Sequence, residues 1–247
     1  MRILFVICLV LLVLPAKAQE SFSNANLLRA FDIVAFGGEY SGKRYDVVRK
    51  WAGPVRIGIQ GKDHPAYLET FIEDVAQDLT KTTGHPVELY YSFGKQKAMQ
   101  LPADFDPKRV NVFVLYADDK GVRDAVYQYF GGSKIEKEAV LAEATCLANY
   151  KTRKNEIVWA LIIFPSRHPE SYHRACAVEE ITQIMGLPND SDTIPQSIFN
   201  DTSKHFELTE FDRWLLMALY QPAIKPNMPR NEALKLALDF WKRARPE

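Results

Sequence analysis

Two adjacent carboxylates and an amide lie close together on one predicted helix of this 247-residue chain. Glu179 and Glu180 precede Gln183 by four and three residues, so the three side chains reach one side of a helix. Paired carboxylates act as general acid and base in glycosidases, which makes Glu179 and Glu180 candidate catalytic groups. The alternative, which we favour, is that both carboxylates accept backbone N–H groups of the loop over residues 188–201. The opposite side of the helix is apolar and is predicted to face the core, through Ala177, Val178, Ile181, Ile184 and Met185.

The first 18 residues are typical of a secretory signal peptide. Arg2 precedes an apolar run over residues 3–14, and small residues around Lys17 suit cleavage after Ala18. The run of 12 apolar residues is short for a bilayer span of about 20. We therefore predict a secreted, periplasmic protein without a membrane span after signal removal.

The net charge limits the classes of partner that the chain can bind, and the cysteine content indicates a disulfide. Without Arg2 and Lys17, 29 basic and 31 acidic residues remain, and this balance argues against nucleic acid as a partner. We find no Gly-rich phosphate loop and no Ser-His-Asp arrangement in the sequence. Cys146 and Cys176 are predicted to form a disulfide in an oxidising compartment, the alternative being two buried thiols.

The hydrophobic pattern predicts one α/β domain over residues 51–247, preceded by an N-terminal extension over 19–50. Residues 54–61 alternate apolar and other side chains with a period of two, which indicates a strand. Residues 110–117 are almost all apolar, which favours a central strand. The other predicted strands are 87–92, 145–150 and 156–165, of which the last two form a hairpin with a turn at 151–155. The predicted helices are 27–36, 66–82, 122–130, 134–141, 169–185, 209–220 and 231–243.

The segment over residues 179–190 resembles the active-site helix of the metzincin zinc peptidases, H-E-x-x-H-x-x-G-x-x-H/D. Aligned on Gly186, the chain has Glu180 at the position of the general base. The three zinc-ligand positions are occupied by Glu179, Gln183 and Asn189 (or Asp190). The resemblance implies a metzincin-like three-layer domain with a mixed twisted sheet, and the predicted order of strands and helices agrees with it.

A second segment resembles the turn below the metal in matrixin-type metzincins. Residues 195–200 read P-Q-S-I-F-N, where the family has S/A-x-M, so Phe199 takes the place of the methionine. The following L-T-x-x-D and L-Y, at residues 208–212 and 219–220, also match. The resemblance assigns a binding cleft to Gln183, Asn189, Asp190, Ser197 and Phe199.

Residues 176–228 resemble still more closely a proteobacterial family of secreted proteins and lipoproteins with no assigned function, domain of unknown function 2927. Its signature runs C-x-x-E-E-x-x-Q-x-x-G-L-x-N-D-S, then S-I-F-N-D, L-T-x-x-D and L-Y-x-P-x-x-x-P-x-M, and each block is present here. This chain departs from the family at Val178, where His is frequent, and at Asn227, where Gly is frequent.

These substitutions change the chemistry that the helix can perform. Zinc prefers nitrogen and sulfur ligands, whereas Glu, Gln and Asn offer oxygen, which suits Ca²⁺, Mg²⁺ or Mn²⁺ better. Without a Lewis acid, the pKa of water stays near 15.7 instead of about 7, which argues against conventional zinc proteolysis. We assign no metal ligand and no cofactor.

Two functions remain open. The first is a non-catalytic binding or structural protein of the bacterial envelope, a pseudo-enzyme. Its cleft edge strand would pair with an extended peptide or an envelope protein through backbone groups. The alternative is an unconventional hydrolase that uses Glu179 and Glu180 directly, or around a hard metal ion.

Overall fold

The computed structural model describes residues 22–39, 42–200 and 205–245, so the predicted signal peptide lies outside the described residues. Within these ranges the chain forms an α/β domain of five strands and eight α-helices. The strands are β1 (Val55–Gln60), β2 (Val87–Tyr91), β3 (Val112–Ala117), β4 (Leu147–Arg153) and β5 (Glu156–Pro165). The helices are α1 (Asn24–Phe36), α2 (Ala66–Thr83), α3 (Phe93–Lys97), α4 (Asp119–Tyr129), α5 (Lys134–Glu143), α6 (Glu170–Gln183), α7 (Glu210–Leu219) and α8 (Arg230–Ala244). None of the helices in the described ranges is long and apolar enough to cross a membrane.

The five strands form one mixed sheet in the order β2-β1-β3-β5-β4. The pairs β1–β2, β1–β3 and β3–β5 are parallel, whereas β4 runs antiparallel to β5 at one edge. The apolar strand β3 lies at the centre, as its composition predicts. Central parallel strands are covered on both faces, which is why the sequence there has few polar residues.

The hairpin between β4 and β5 is tighter than the sequence pattern predicts. We expected a five-residue turn at 151–155, but β4 continues to Arg153 and only Lys154 and Asn155 form the turn. Both have positive φ, 53° and 64°. Two consecutive left-handed residues match the twist of the flanking strands, so the pairing extends up to the turn.

The sheet separates two groups of helices and so gives a three-layer arrangement. Side chains of α2, α6 and α7 pack in the larger core with one face of β1, β3 and β5. Val122 and Val126 of α4 pack in a smaller core with Leu161 and Ile163 of β5. Successive residues of β5 alternate between these cores, because side chains of a strand point to opposite faces in turn.

The second half of helix α6 is almost entirely buried, whereas Glu170, Ser171 and Tyr172 in its first turn are exposed. The sequence predicts Pro169 in the first turn of this helix. The structure has Pro169 at the N-cap, directly before the first helical residue, Glu170. The predicted capping box at Thr209 and Asp212 is confirmed at the start of α7. The buried residues of α6 are His173, Cys176, Ala177, Val178, Glu180, Ile181, Thr182 and Gln183.

The predicted disulfide between Cys146 and Cys176 is confirmed. Cys146 lies immediately before β4, and Cys176 lies in the middle of α6, so the bond joins the edge of the sheet to the central helix. Both residues are buried.

We predict that a Cys146→Ala/Cys176→Ala variant is less stable by about 3–4 kcal/mol. The two residues are 30 apart in sequence, and the crosslink restricts the unfolded chain accordingly. Urea unfolding of the oxidised protein and the variant measures this difference. Adding a reductant to the variant is the control and should change nothing, whereas equal stability of oxidised protein and variant would contradict the prediction.

Candidate functional site

Glu180 lies at the centre of the candidate site and is almost fully buried. Its side chain is in the interior of the domain, and Oε2 accepts no hydrogen bond from the described residues. Burial raises the pKa of Glu180 well above 4.5, and the negative charges of Glu179, Glu39 and Asp190 raise it further. The surroundings of Glu180 therefore favour the neutral carboxylic acid.

The loop after α6 is fixed by an amide–carboxylate pair. The buried Gln183 side chain donates from Nε2 to both carboxylate oxygens of Asp190, at 3.0 and 3.1 Å. The neighbouring Asn189 donates from Nδ2 to the backbone oxygen of Asp190, at 2.9 Å. Side-chain bonds of Gln183 and Asn189 therefore fix this loop, and a loop-holding role of Glu179 and Glu180 stays a prediction.

Gly186 permits the turn that ends the helix. Its φ is +111°, a conformation that L side chains rarely adopt. A Cβ at this position would overlap the carbonyl oxygen of Arg49. The glycine of the motif thus meets two needs, the turn itself and the close approach of the segment around Arg49.

A cleft of about 460 Å³ opens beside this turn. Four parts of the chain line it: the segment after α1, the end of α4 with α5, the edge strand β4, and the turn after α6. Gln183, Ile184 and Pro188 form the part contributed by the end of α6 and the turn after it. The lining includes Glu39, Lys43, Tyr45, Arg49, Glu136, Lys137, Ala148, Asn149, Tyr150, Gln183 and Ile184.

The predicted site residues fall into two groups. Of the first group, Gln183 is the member that lines the cleft. The others interact with it or with one another: Asp190 accepts from Gln183, Asn189 donates to Asp190, and Glu180 interacts electrostatically with Glu179 and Asp190. The second group is Ser197 and Phe199.

Ser197 and Phe199 are fully buried and do not line the cleft. Ser197 donates its hydroxyl to Asp212 at 2.5 Å, and the backbone N–H of Ile198 donates to the same carboxylate at 3.2 Å. These bonds attach the loop to the start of α7. Phe199 belongs to the larger core. A direct binding role for either residue stays a prediction from the sequence.

The donor set does not fit the zinc that the metzincin resemblance implies. The positions of the zinc ligands hold Glu179, Gln183 and Asn189 (or Asp190), which offer carboxylate and amide oxygens, whereas zinc prefers nitrogen and sulfur ligands. Within the described ranges, no three His, Cys, Asp or Glu side chains are grouped so that they could bind a metal ion. The site is therefore not assigned to zinc.

Sequence reasoning missed other residues that line the cleft, among them Arg49 and Tyr150. Arg49 and Tyr150 are far apart in the chain and carry no motif, yet both line the cleft. One signal was present: Arg49 and Lys50 interrupt the apolar pattern between Val47 and Trp51, and both are buried. Buried basic residues are unusual and mark a position of interest.

We predict that Glu180→Gln stabilises the protein increasingly as the pH rises above 4.5. Well below pH 4.5, Glu180 and the glutamine that replaces it are both neutral in the folded and unfolded states. Above it Glu180 ionises in the unfolded chain first, so wild type loses about 1.4 kcal/mol per pH unit until the raised pKa is reached. Urea unfolding between pH 4 and 8 measures this gap, the difference in unfolding free energy between Glu180→Gln and wild type. Glu170→Gln, at an exposed position on the same helix, is the matched control, and a gap independent of pH for Glu180→Gln would refute the assignment.

We predict that Gly186→Ala destabilises the domain by at least about 2 kcal/mol, because the new methyl group meets the Arg49 carbonyl in a strained conformation. Gly53→Ala is the control, since a Cβ there meets nothing within 4 Å. Thermal and urea unfolding compare the two variants. Equal losses in both would show that the close approach at Gly186 is unimportant.

Comparison with known proteins identifies the family. Residues 24–237 match the model of the family described as Protein of unknown function (DUF2927). No curated protein and no solved structure matches the chain. Since the match covers most of the 247 residues, including the cleft and the buried helix, the chain belongs to the DUF2927 family of proteins of unknown function.

Proposed function

We propose that this protein is an exported envelope protein whose metzincin-like domain binds an extended peptide or protein tail without cleaving it. The observation that carries the proposal is the course of the edge strand β4 along the cleft. The elements β1, α2, β2, β3, β4, β5, α6 and α7 follow in the order that the metzincin resemblance implies, with α3, α4 and α5 as additional helices between the strands, and this order supports the likeness.

Strand β4 offers backbone groups for pairing. It is the last strand of the sheet and pairs with β5 on one side only. Ala148, Asn149 and Tyr150 are consecutive, and all three line the cleft. Because consecutive side chains of a strand alternate in direction, the cleft must run along the edge of β4. An extended peptide in the cleft would add a sixth strand through main-chain hydrogen bonds.

The groups at the catalytic positions argue for binding over hydrolysis. A general base must be deprotonated at the working pH, and the environment of Glu180 favours its protonated form. The donors at the ligand positions lack the nitrogens that bind zinc in the peptidases. Gln183, at the second of these positions, is engaged with Asp190. Binding through the strand edge requires none of these groups.

Export is supported by the disulfide. Bonds such as Cys146–Cys176 form and persist in oxidising compartments, which include the bacterial periplasm. The signal-like pattern of residues 1–18 agrees with this compartment.

We expect the protein lacking residues 1–18 to select peptides from a displayed library of random sequences. Hydrogen exchange then locates the bound peptide. Amides of residues 147–153 in β4 should gain protection, because an added strand buries their N–H groups. The opposite sheet edge, β2 at residues 87–91, is the internal control and should not change.

Three outcomes would overturn the proposal. These are failure to select any peptide, protection confined to β2, and cleavage of the selected peptides. Stoichiometric metal in elemental mass spectrometry, with turnover abolished by Glu180→Gln, would establish the hydrolase alternative instead.

A further inference from the structure

A buried arginine, Arg49, lines the cleft without a counter-ion among the described residues. Arg49 is only 6% exposed. Its Nη2 donates to the backbone oxygen of Gly37 at 3.2 Å, and its Nε is buried without a hydrogen-bond partner among the described residues. No carboxylate of the described ranges forms a salt bridge with it.

The guanidinium is fixed in place by aromatic rings. Its Cζ lies 3.3 Å from the centroid of the Tyr45 ring and 5.6 Å from that of Tyr150. Stacking on Tyr45 restricts the plane of the group, and the bond to Gly37 restricts its rotation. The guanidinium is therefore preorganised, because contacts within the protein fix the direction of its remaining N–H groups.

The hydroxyl of Tyr150 is a second unsatisfied group on the same wall. Its oxygen is buried without a hydrogen-bond partner in the described part of the chain. Burial raises the pKa of Tyr150, so the phenol keeps its proton and is available as a donor. Two buried donors without acceptors in one cavity are costly unless a ligand supplies the acceptor.

We infer that Arg49 and Tyr150 form a carboxylate-binding subsite within the cleft. A guanidinium presents two parallel N–H groups that match the two oxygens of a carboxylate, and a phenol adds a third donor. The subsite itself depends on the geometry of Arg49 and Tyr150 and not on the proposed function. That the carboxylate belongs to a bound peptide, as its C-terminus or an acidic side chain, rests on the function proposed above.

The other charges of the cleft fit one negative charge better than two. Lys43 and Lys137 are offset by Glu39 and Glu136, which leaves Arg49 as the net positive charge of the lining. A dianionic phosphate would lack a second cation here. We therefore assign the subsite to carboxylates and use phosphate as the competing anion.

The test follows the Nε–H signal of Arg49 in nitrogen-15 NMR spectra at constant ionic strength, assigned by its loss in Arg49→Lys. The probes are acetate, inorganic phosphate, and N-acetyl tetraalanine as the free acid and as the C-terminal amide. A tetraalanine amide with one alanine replaced by glutamate tests a side-chain carboxylate. We expect shifts with every carboxylate and none with the plain amide, and at least tenfold tighter binding of free acid than of amide.

Three variants separate the subsite from general effects. Arg49→Met should weaken free-acid binding roughly tenfold or more. Tyr150→Phe should weaken it severalfold without loss of stability, since the hydroxyl has no partner within the described residues. Arg243→Met removes the same charge from an exposed position of α8 outside the cleft lining and should leave binding unchanged.

The outcomes distinguish this inference from the proposed function. No shift with acetate, tighter binding of phosphate, or an unchanged affinity in Tyr150→Phe and Arg49→Met would overturn the subsite. Shifts with acetate in a protein that selects no peptide would leave the subsite standing and reject peptide binding. Selected library peptides could also bind equally well with a free C-terminus or a C-terminal amide, and with or without acidic residues. That result would support the proposed function and reject the subsite.

Discussion

The packing of the segment over residues 47–51 against the end of α6 is the constraint on which the site depends. Gly186 lets the Arg49 backbone approach the end of α6. The side chains of Trp51 and Tyr220 add hydrogen bonds to the same helix end. Trp51 donates from Nε1 to the oxygen of Ile184 at 2.8 Å, and Tyr220 donates its hydroxyl to the oxygen of Met185 at 2.9 Å. The last carbonyls of a helix lack partners within the helix, so these side chains satisfy groups that would otherwise be buried unpaired.

The same contact explains how a basic segment can be buried. Lys50 donates from Nζ to the oxygen of Leu219 at 2.8 Å and lies 4.7 Å from the centroid of the Tyr220 ring. Burial, followed by the charge of Lys225, lowers the pKa of Lys50 to about 8. Lys50 therefore binds the backbone of α7, whereas its neighbour Arg49 points to the cleft wall. Two adjacent basic residues thus have different roles, one in connecting elements and one in lining the cavity.

Local patterns predicted most of the fold. The alternation in β1, the apolar run in β3, the cap of α7 and the cysteine pair each depend on neighbouring residues or on compartment chemistry, and these are readable in a sequence. Asn227, where the family often has Gly, has a φ of 67°, a conformation that asparagine tolerates better than other side chains. It also accepts a hydrogen bond from Asn155, at 2.7 Å.

The site was predicted less well because it is built from long-range contacts. The motif located Glu180 and Gln183, but their partners depend on how the loop folds back, and it is Gln183 that bonds Asp190. The meeting of Arg49 with Tyr150 requires that residues about 100 apart in sequence become neighbours. No periodicity or spacing encodes such a pair, and only the three-dimensional arrangement shows it.

The bond between Cys146 and Cys176 has a consequence for recognition as well as for folding. It ties the beginning of the edge strand to the helix whose end borders the cleft, so the two walls keep a fixed separation. A receptor with rigid walls loses little conformational freedom when it takes up a flexible chain. In the proposed peptide binding, the ordering cost would then fall almost wholly on the peptide, which favours peptides that are already extended.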